Sequence, residues 1–152
     1  MVGGQADDLS WERAPRQKRR TLDELEFLHA RKTGALIRCC LRLGARVVHA
    51  HRPEGPPAEL LARLDGYGRC LGLAFQITDD LLDVEGQAEH AGKKVGKDAA
   101  KGKLTYPGLL GVEESRARAA DLGRQARDHL APFGPAAGRL KDLVSFVVNR
   151  DR

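Results

Sequence analysis

Aromatic residues are scarce: one Trp, two Tyr and four Phe make up 5% of a 152-residue chain. That leaves little to stack on nucleobases. The formal net charge of +5 and the basic stretch Arg13, Arg16, Lys18, Arg19 and Arg20 therefore read as a solvated surface and an anionic partner, with no nucleic acid expected. Cysteine is equally sparse. Cys39, Cys40 and Cys70 are an odd number, and an adjacent pair has no metal-site spacing. This excludes a disulfide framework and predicts reduced, mostly packed thiols in a cytoplasmic protein. The opening MVGGQADDL has no apolar signal core, and no apolar run is long enough to span a bilayer. No stretch alternates β-branched and polar residues as a half-buried strand would, and internal repeats and low-complexity tracts are absent. With 41% hydrophobic and 31% charged residues, what remains is a chain that can build a core.

That core is helical. Thr21-Leu22-Asp23-Glu24 forms a capping box, and Leu25, Leu28, Leu36, Ile37, Cys40 and Leu43 follow at helical spacing. The pattern predicts one long amphipathic helix over 22 to about 48. HRPEGPP at 51–57 stops it with three prolines and a glycine. A second long helix is predicted from about 58 to about 84. Its Gly66, Gly68 and Gly72 each cost about 1 kcal/mol relative to alanine, which suggests that another backbone comes close there. A Gly- and Lys-rich loop is expected over 85–104. Helix restarts at TYPGLLG, with Pro107 in the first turn, where its missing donor is harmless. A charged helix over 112–131, a break at PFGP and a last helix from 136 to about 149 complete an all-α chain. MVGGQADDL reads as the tail of a helix whose beginning is missing.

The second long helix poses a question of charge. Asp79, Asp80 and Asp83 fall in FQITDDLLD, among Leu71, Leu73, Ala74, Phe75, Ile77, Leu81, Leu82 and Val84. On a helix Gln76, Asp79, Asp80 and Asp83 stand at i, i+3, i+4 and i+7 and are expected to project from one face. Like charges at that spacing repel, and partly desolvated carboxylates need a partner. Two readings stand: a solvated acidic stripe, or an oxygen-donor site for a hard cation such as Mg²⁺, which keeps several waters and shares its remaining positions with phosphates. No thiolate or imidazole pair nearby suits zinc.

The following segment is its electrostatic opposite. Over 89–103, Lys93, Lys94, Lys97, Lys101 and Lys103 against Glu89 and Asp98 give a net +3, with His90 neutral and glycines between. Taken alone this is a solvated basic loop; beside an acidic face it has the composition a diphosphate requires, cations bridging its oxygens and ammonium groups neutralising the rest. Lys32, in Arg31-Lys32-Thr33-Gly34, is either an ordinary exposed lysine or a further ammonium for the same cavity.

In order, MVGGQADDL, HARKTGALIR, GLAFQITDDLLDVEG, GKKVGKDAAKGKLTYPGLLG and NRDR resemble the C-terminal half of the trans-isoprenyl diphosphate synthases, the polyprenyl synthetase family of farnesyl and geranylgeranyl diphosphate synthases. The resemblance spans residues 1–152. It implies an all-α bundle around a deep cavity, usually dimeric, and a Mg²⁺-dependent condensation of isopentenyl diphosphate with an allylic diphosphate. Asp79 would be a direct Mg²⁺ ligand, with Asp80 and Asp83 supporting directly or through water. Gln76 would orient metal-bound water or substrate, and Phe75 would line the apolar path. Lys32 and Thr33 match a pair that contacts the allylic diphosphate. Lys93 and Lys103 match two lysines that hold it from the loop. Gln5 and Asp8 match a Gly-Gln-x-x-Asp-Leu segment near the cavity, and Arg150 and Arg152 match a basic C-terminus that closes over isopentenyl diphosphate.

The resemblance also defines a gap. The family's first aspartate-rich motif is absent, since Trp11 stands where Asp7-Asp8 would need a third aspartate. The N-terminal basic residues for isopentenyl diphosphate are absent too. The expectation is a C-terminal half that is inactive alone, marginally stable or self-associating, and completed by a homo-oligomer or an N-terminal half. A non-catalytic accessory subunit of a heteromeric prenyl synthase is the alternative.

Overall fold

The computed structural model describes Gly4, Ala6 and residues 21–90 and 104–150. Among them every regular element is a helix. The Thr21 hydroxyl accepts the Glu24 N–H at 3.3 Å and the Glu24 carboxylate accepts the Thr21 N–H at 2.9 Å. This reciprocal cap starts α1 (Leu22–His29). The chain then widens into one π-helical turn, Ala30–Gly34, and continues as α2, Ala35–Val48. The predicted helix over 22–48 is thus one rod with a wide turn inside it. Wide turns of this kind are rare and concentrate at functional sites.

After the proline-rich stop, α3 runs over Ala58–His90, 33 residues, roughly 50 Å at 1.5 Å per residue. It extends past the expected end near 84. Glu85 is ion-paired there to Arg116, which ties this end of α3 to the helix beside it. The loop expected over 85–104 accordingly begins later, and 91–103 lie outside the described residues. Thr105 caps the short α4, Tyr106–Leu110, by accepting the Gly108 N–H at 3.2 Å. Next come α5 (Val112–Leu130), a 3-10 segment (Ala131–Ala137) and α6 (Gly138–Asn149).

Helix α3 is the axis of the assembly. Its most extensive contact is with α5, and α2, α4 and α6 also pack on it. Tyr67, Cys70, Leu71, Ala74, Ile77 and Leu81 fall at helical spacing and form its buried stripe. Leu122, Ala126, Leu130, Val144 and Val147 meet them from α5 and α6. The Tyr67 hydroxyl donates to the Leu140 carbonyl at 3.0 Å, anchoring α6; burial pushes that phenol up to about 12.

The α3 glycines mark close approaches. A Cβ on Gly72 would lie 3.0 Å from the Gly34 Cα, so two backbones meet there. Gly68 faces the Leu41 and Arg38 side chains with the Arg38 Cα at 3.5 Å, and Gly66 faces the His129 ring; only Gly66 meets a side chain alone. Cys70 is buried, but Cys39 and Cys40 are exposed free thiols, contrary to the expectation of packing. They lie on an open side of α2 where Leu36, Leu43 and Val47 are also exposed. No helix among the described residues is long and apolar enough to cross a membrane.

Candidate active site

The π turn, which carries Lys32 and Thr33, packs on α3. Gly34 is buried at the contact with Gly72, and the closeness of the two backbones lets the side chain next to it reach across. The Thr33 hydroxyl donates to Gln76 Oε1 at 3.1 Å. Gln76 is 7% exposed, and accepting this bond at its carbonyl fixes which way its amide NH2 points. Gly4 packs against the same turn: a Cβ there would fall 2.6 Å from the Lys32 backbone nitrogen, so only glycine fits at this position.

One turn further along α3 the carboxylates divide. Asp79 and Asp83 are exposed, whereas Asp80 is 4% exposed. Asp79 accepts from Arg150 Nη2 at 2.9 Å, and the Arg150 guanidinium lies over the Phe75 ring, 4.3 Å from its centroid. Asp80 Oδ2 accepts the Tyr106 backbone N–H at 2.9 Å. The expected single face is therefore two. Adjacent helical residues differ by about 100° in direction, which turns Asp80 toward α4 and leaves Asp79 beside Asp83.

Behind Asp80 lies a polar layer, buried at Tyr106 and His29 and partly exposed at Arg118 and Glu26, that sequence reasoning missed. The Tyr106 ring is fully buried and stacks on His29 of α1, with centroids 5.7 Å apart and planes 16° apart. Arg118 of α5 donates to Glu26 of α1 at 2.7 Å, and this bond raises the arginine's pKa. Burial, reinforced by the Glu26 carboxylate, holds the Tyr106 phenol far above its ordinary value. Its hydroxyl has no hydrogen-bond partner among the described residues. The one sequence signal near this layer was the helix restart at TYPGLLG, which contains Tyr106.

The chain as a whole resembles known proteins. Residues 1–131 match the family model described as polyprenyl synthetase. The chain belongs to the polyprenyl synthetase family. It is 41% identical, over 99% of its length, to geranylgeranyl pyrophosphate synthase 10, mitochondrial, of Arabidopsis thaliana, and covers 42% of that protein. Among solved structures it is similar to an apo FPP/GFPP synthase from Zymomonas mobilis, with a TM-score of 0.78 and 37% identity over 97% of this chain and 45% of that one. It is also similar to a geranyltransferase from Helicobacter pylori complexed with magnesium and isoprenyl diphosphate, with a TM-score of 0.68 and 31% identity over 98% and 46% of the two chains. The chain thus spans less than half the length of these polyprenyl synthetase relatives.

Thr33 with Gln76, and Arg150 with Asp79 and Phe75, are brought together; Lys32 shares the π turn with Thr33. Gln5, Asp8, Lys93, Lys103 and Arg152 lie outside the described residues. No three His, Cys, Asp or Glu side chains converge on a metal site among the described residues. Asp79 and Asp83 nonetheless offer only oxygen donors, one turn apart and open to solvent, which fits a hard cation that retains water and phosphate oxygens in its shell.

Proposed function

We propose that this chain is the C-terminal half of a prenyltransferase that condenses isopentenyl diphosphate with an allylic diphosphate, and that it needs an N-terminal half to turn over. The observation supporting this reading is the alignment, along one side of α3, of the Thr33–Gln76 bond and the Arg150–Asp79–Phe75 group in a polyprenyl synthetase whose relatives include geranylgeranyl pyrophosphate and farnesyl diphosphate synthases.

Asp79 and Asp83 would hold Mg²⁺, which when bound neutralises the diphosphate that leaves the allylic carbon. Lys32, with Lys93 and Lys103 from the basic segment, grips the remaining phosphate oxygens as charge-assisted donors. Gln76, fixed by Thr33, presents its amide to water or substrate at the same end. Phe75 supplies apolar surface beside a developing carbocation. Arg150 and Arg152 bind the diphosphate of the second substrate, and Gln5 and Asp8 border the cavity.

One acidic cluster cannot hold a diphosphate from both sides, so the chain alone is expected to release no prenyl product. The test incubates purified chain with Mg²⁺, labelled isopentenyl diphosphate and geranyl diphosphate. It then repeats the incubation after co-expression with the N-terminal half of a farnesyl diphosphate synthase. Product only in the paired sample supports the proposal. Turnover by the chain alone would overturn the dependence on a partner half, and inactivity in both would favour an accessory role.

A further inference from the structure

We infer that Asp80 is a positioning residue that fixes the root of the lysine-rich segment on α3, and that the cation-facing work of the motif falls to Asp79 and Asp83. Three observations lead there. Asp80 is 4% exposed while the carboxylates on either side of it in the motif are open to solvent. Its Oδ2 is within 2.9 Å of the Tyr106 amide nitrogen, a geometry for receiving a hydrogen bond from backbone.

The third is an accounting of donors. The first turn of a helix has N–H groups with no partner inside the helix. In α4, Pro107 has none to offer, Gly108 donates to the Thr105 hydroxyl and Leu109 donates to the Thr105 carbonyl. The Tyr106 N–H is left for an acceptor elsewhere in the fold, and Asp80 supplies it. The Tyr106 ring, stacked on His29, holds the same residue from α1, so the segment is clamped from two elements.

The consequence for the site follows from sequence order: the basic segment that carries Lys93 and Lys103 leads directly into Thr105 and Tyr106, so the clamp fixes the point at which that segment joins α4. Its bearing on diphosphate binding rests on the proposed function; the clamp itself does not.

The test compares Asp80→Ala, Asp80→Asn and Asp79→Asn in the full chain. Amide hydrogen exchange over 104–110 is expected to quicken at least about tenfold in Asp80→Ala. It should return near the wild-type rate in Asp80→Asn, whose side-chain carbonyl still accepts. With Mn²⁺ and inorganic pyrophosphate as probe, Asp80→Asn should bind within about twofold of wild type, and Asp79→Asn about tenfold more weakly. Unchanged exchange over 104–110 in Asp80→Ala would remove the clamp. Probe binding lost equally in Asp80→Asn and Asp79→Asn would make Asp80 a ligand. Should the alanine variant fail to fold, a folded Asp80→Asn that keeps its protection upholds the inference, and one that loses it overturns it. Failure of the unaltered chain to bind the probe would count against the proposed function, and the exchange comparison would still decide the role of Asp80.

Discussion

The Arg150 guanidinium is bonded to the Asp79 carboxylate at 2.9 Å, 71 residues away in sequence, while its flat face covers Phe75. Arg150 is largely buried in this contact and Asp79 is half exposed, with side-chain exposures of 14% and 51%. A positive group therefore already stands at the carboxylate assigned to a cation.

Arg150→Ala should free Asp79. Exposed ion pairs are worth about 0.2–1 kcal/mol, so Mn²⁺ binding followed by its paramagnetic resonance signal should tighten by up to about fivefold. Weaker Mn²⁺ binding in the variant would show that arginine and cation do not compete.

Two glycine substitutions should act in opposite directions. Gly72→Ala drives a methyl group to 3.0 Å from the Gly34 Cα and is expected to destabilise by about 1–3 kcal/mol as α2 and α3 move apart. Gly44→Ala, in α2 with nothing within 4 Å, should stabilise by about 0.5–1 kcal/mol. Chemical denaturation of both variants settles the pair; equal effects would refute the close backbone contact.

Both tyrosines of the chain are buried, and in both burial raises the phenol pKa, from 10.0 to about 12 at Tyr67 and further at Tyr106. A folded-state pKa above the unfolded one means that the stabilisation is complete below pH 10 and falls as pH rises toward and through the folded values. Tyrosinate absorbance and helical circular dichroism should therefore change together in alkali. Tyrosinate forming fully while helix content holds would contradict this burial.

The open side of α2 exposes Leu36, Leu43 and Val47 at 50%, 60% and 66%, spaced i, i+7 and i+11 on one stripe. An apolar stripe of this kind favours association. Sedimentation velocity should show a mass that grows with concentration, and Leu43→Lys with Val47→Lys should reduce it. A single concentration-independent monomer in the unaltered chain would argue against an association surface.

The helical class and most boundaries were legible because they are local. The Thr21–Glu24 box, the proline stop at 53–57 and the helix restart at TYPGLLG with Pro107 in its first turn each need only a few neighbouring residues, and each is where the sequence places it. Gly72 announced a close contact by its intrinsic cost. What stayed hidden depends on distant partners. Spacing alone groups Asp80 with Asp79, and only α4 packing against α3 buries one and leaves the other in water. The pairing of Arg150 with Asp79 and the stack of His29 on Tyr106 likewise join separate helices. The π turn was not legible because Thr33 and Gly34, though poor helix formers, also occur inside ordinary α-helices, and apolar residues recur beyond it.

That turn has an evolutionary corollary. An i→i+5 turn takes up one residue more than an α turn, so the angular offset between α1 and α2 is encoded in how many residues the chain has there, more than in which ones. Point changes at 30–34 can tune Lys32 and Thr33 while leaving the offset intact. Losing a single codon would swing the whole of α2 by about 100°, carrying Arg38 and Arg42 away from Asp65, to which both are paired at 3.4 Å. Natural variation in this stretch should accordingly run through substitution and not through length.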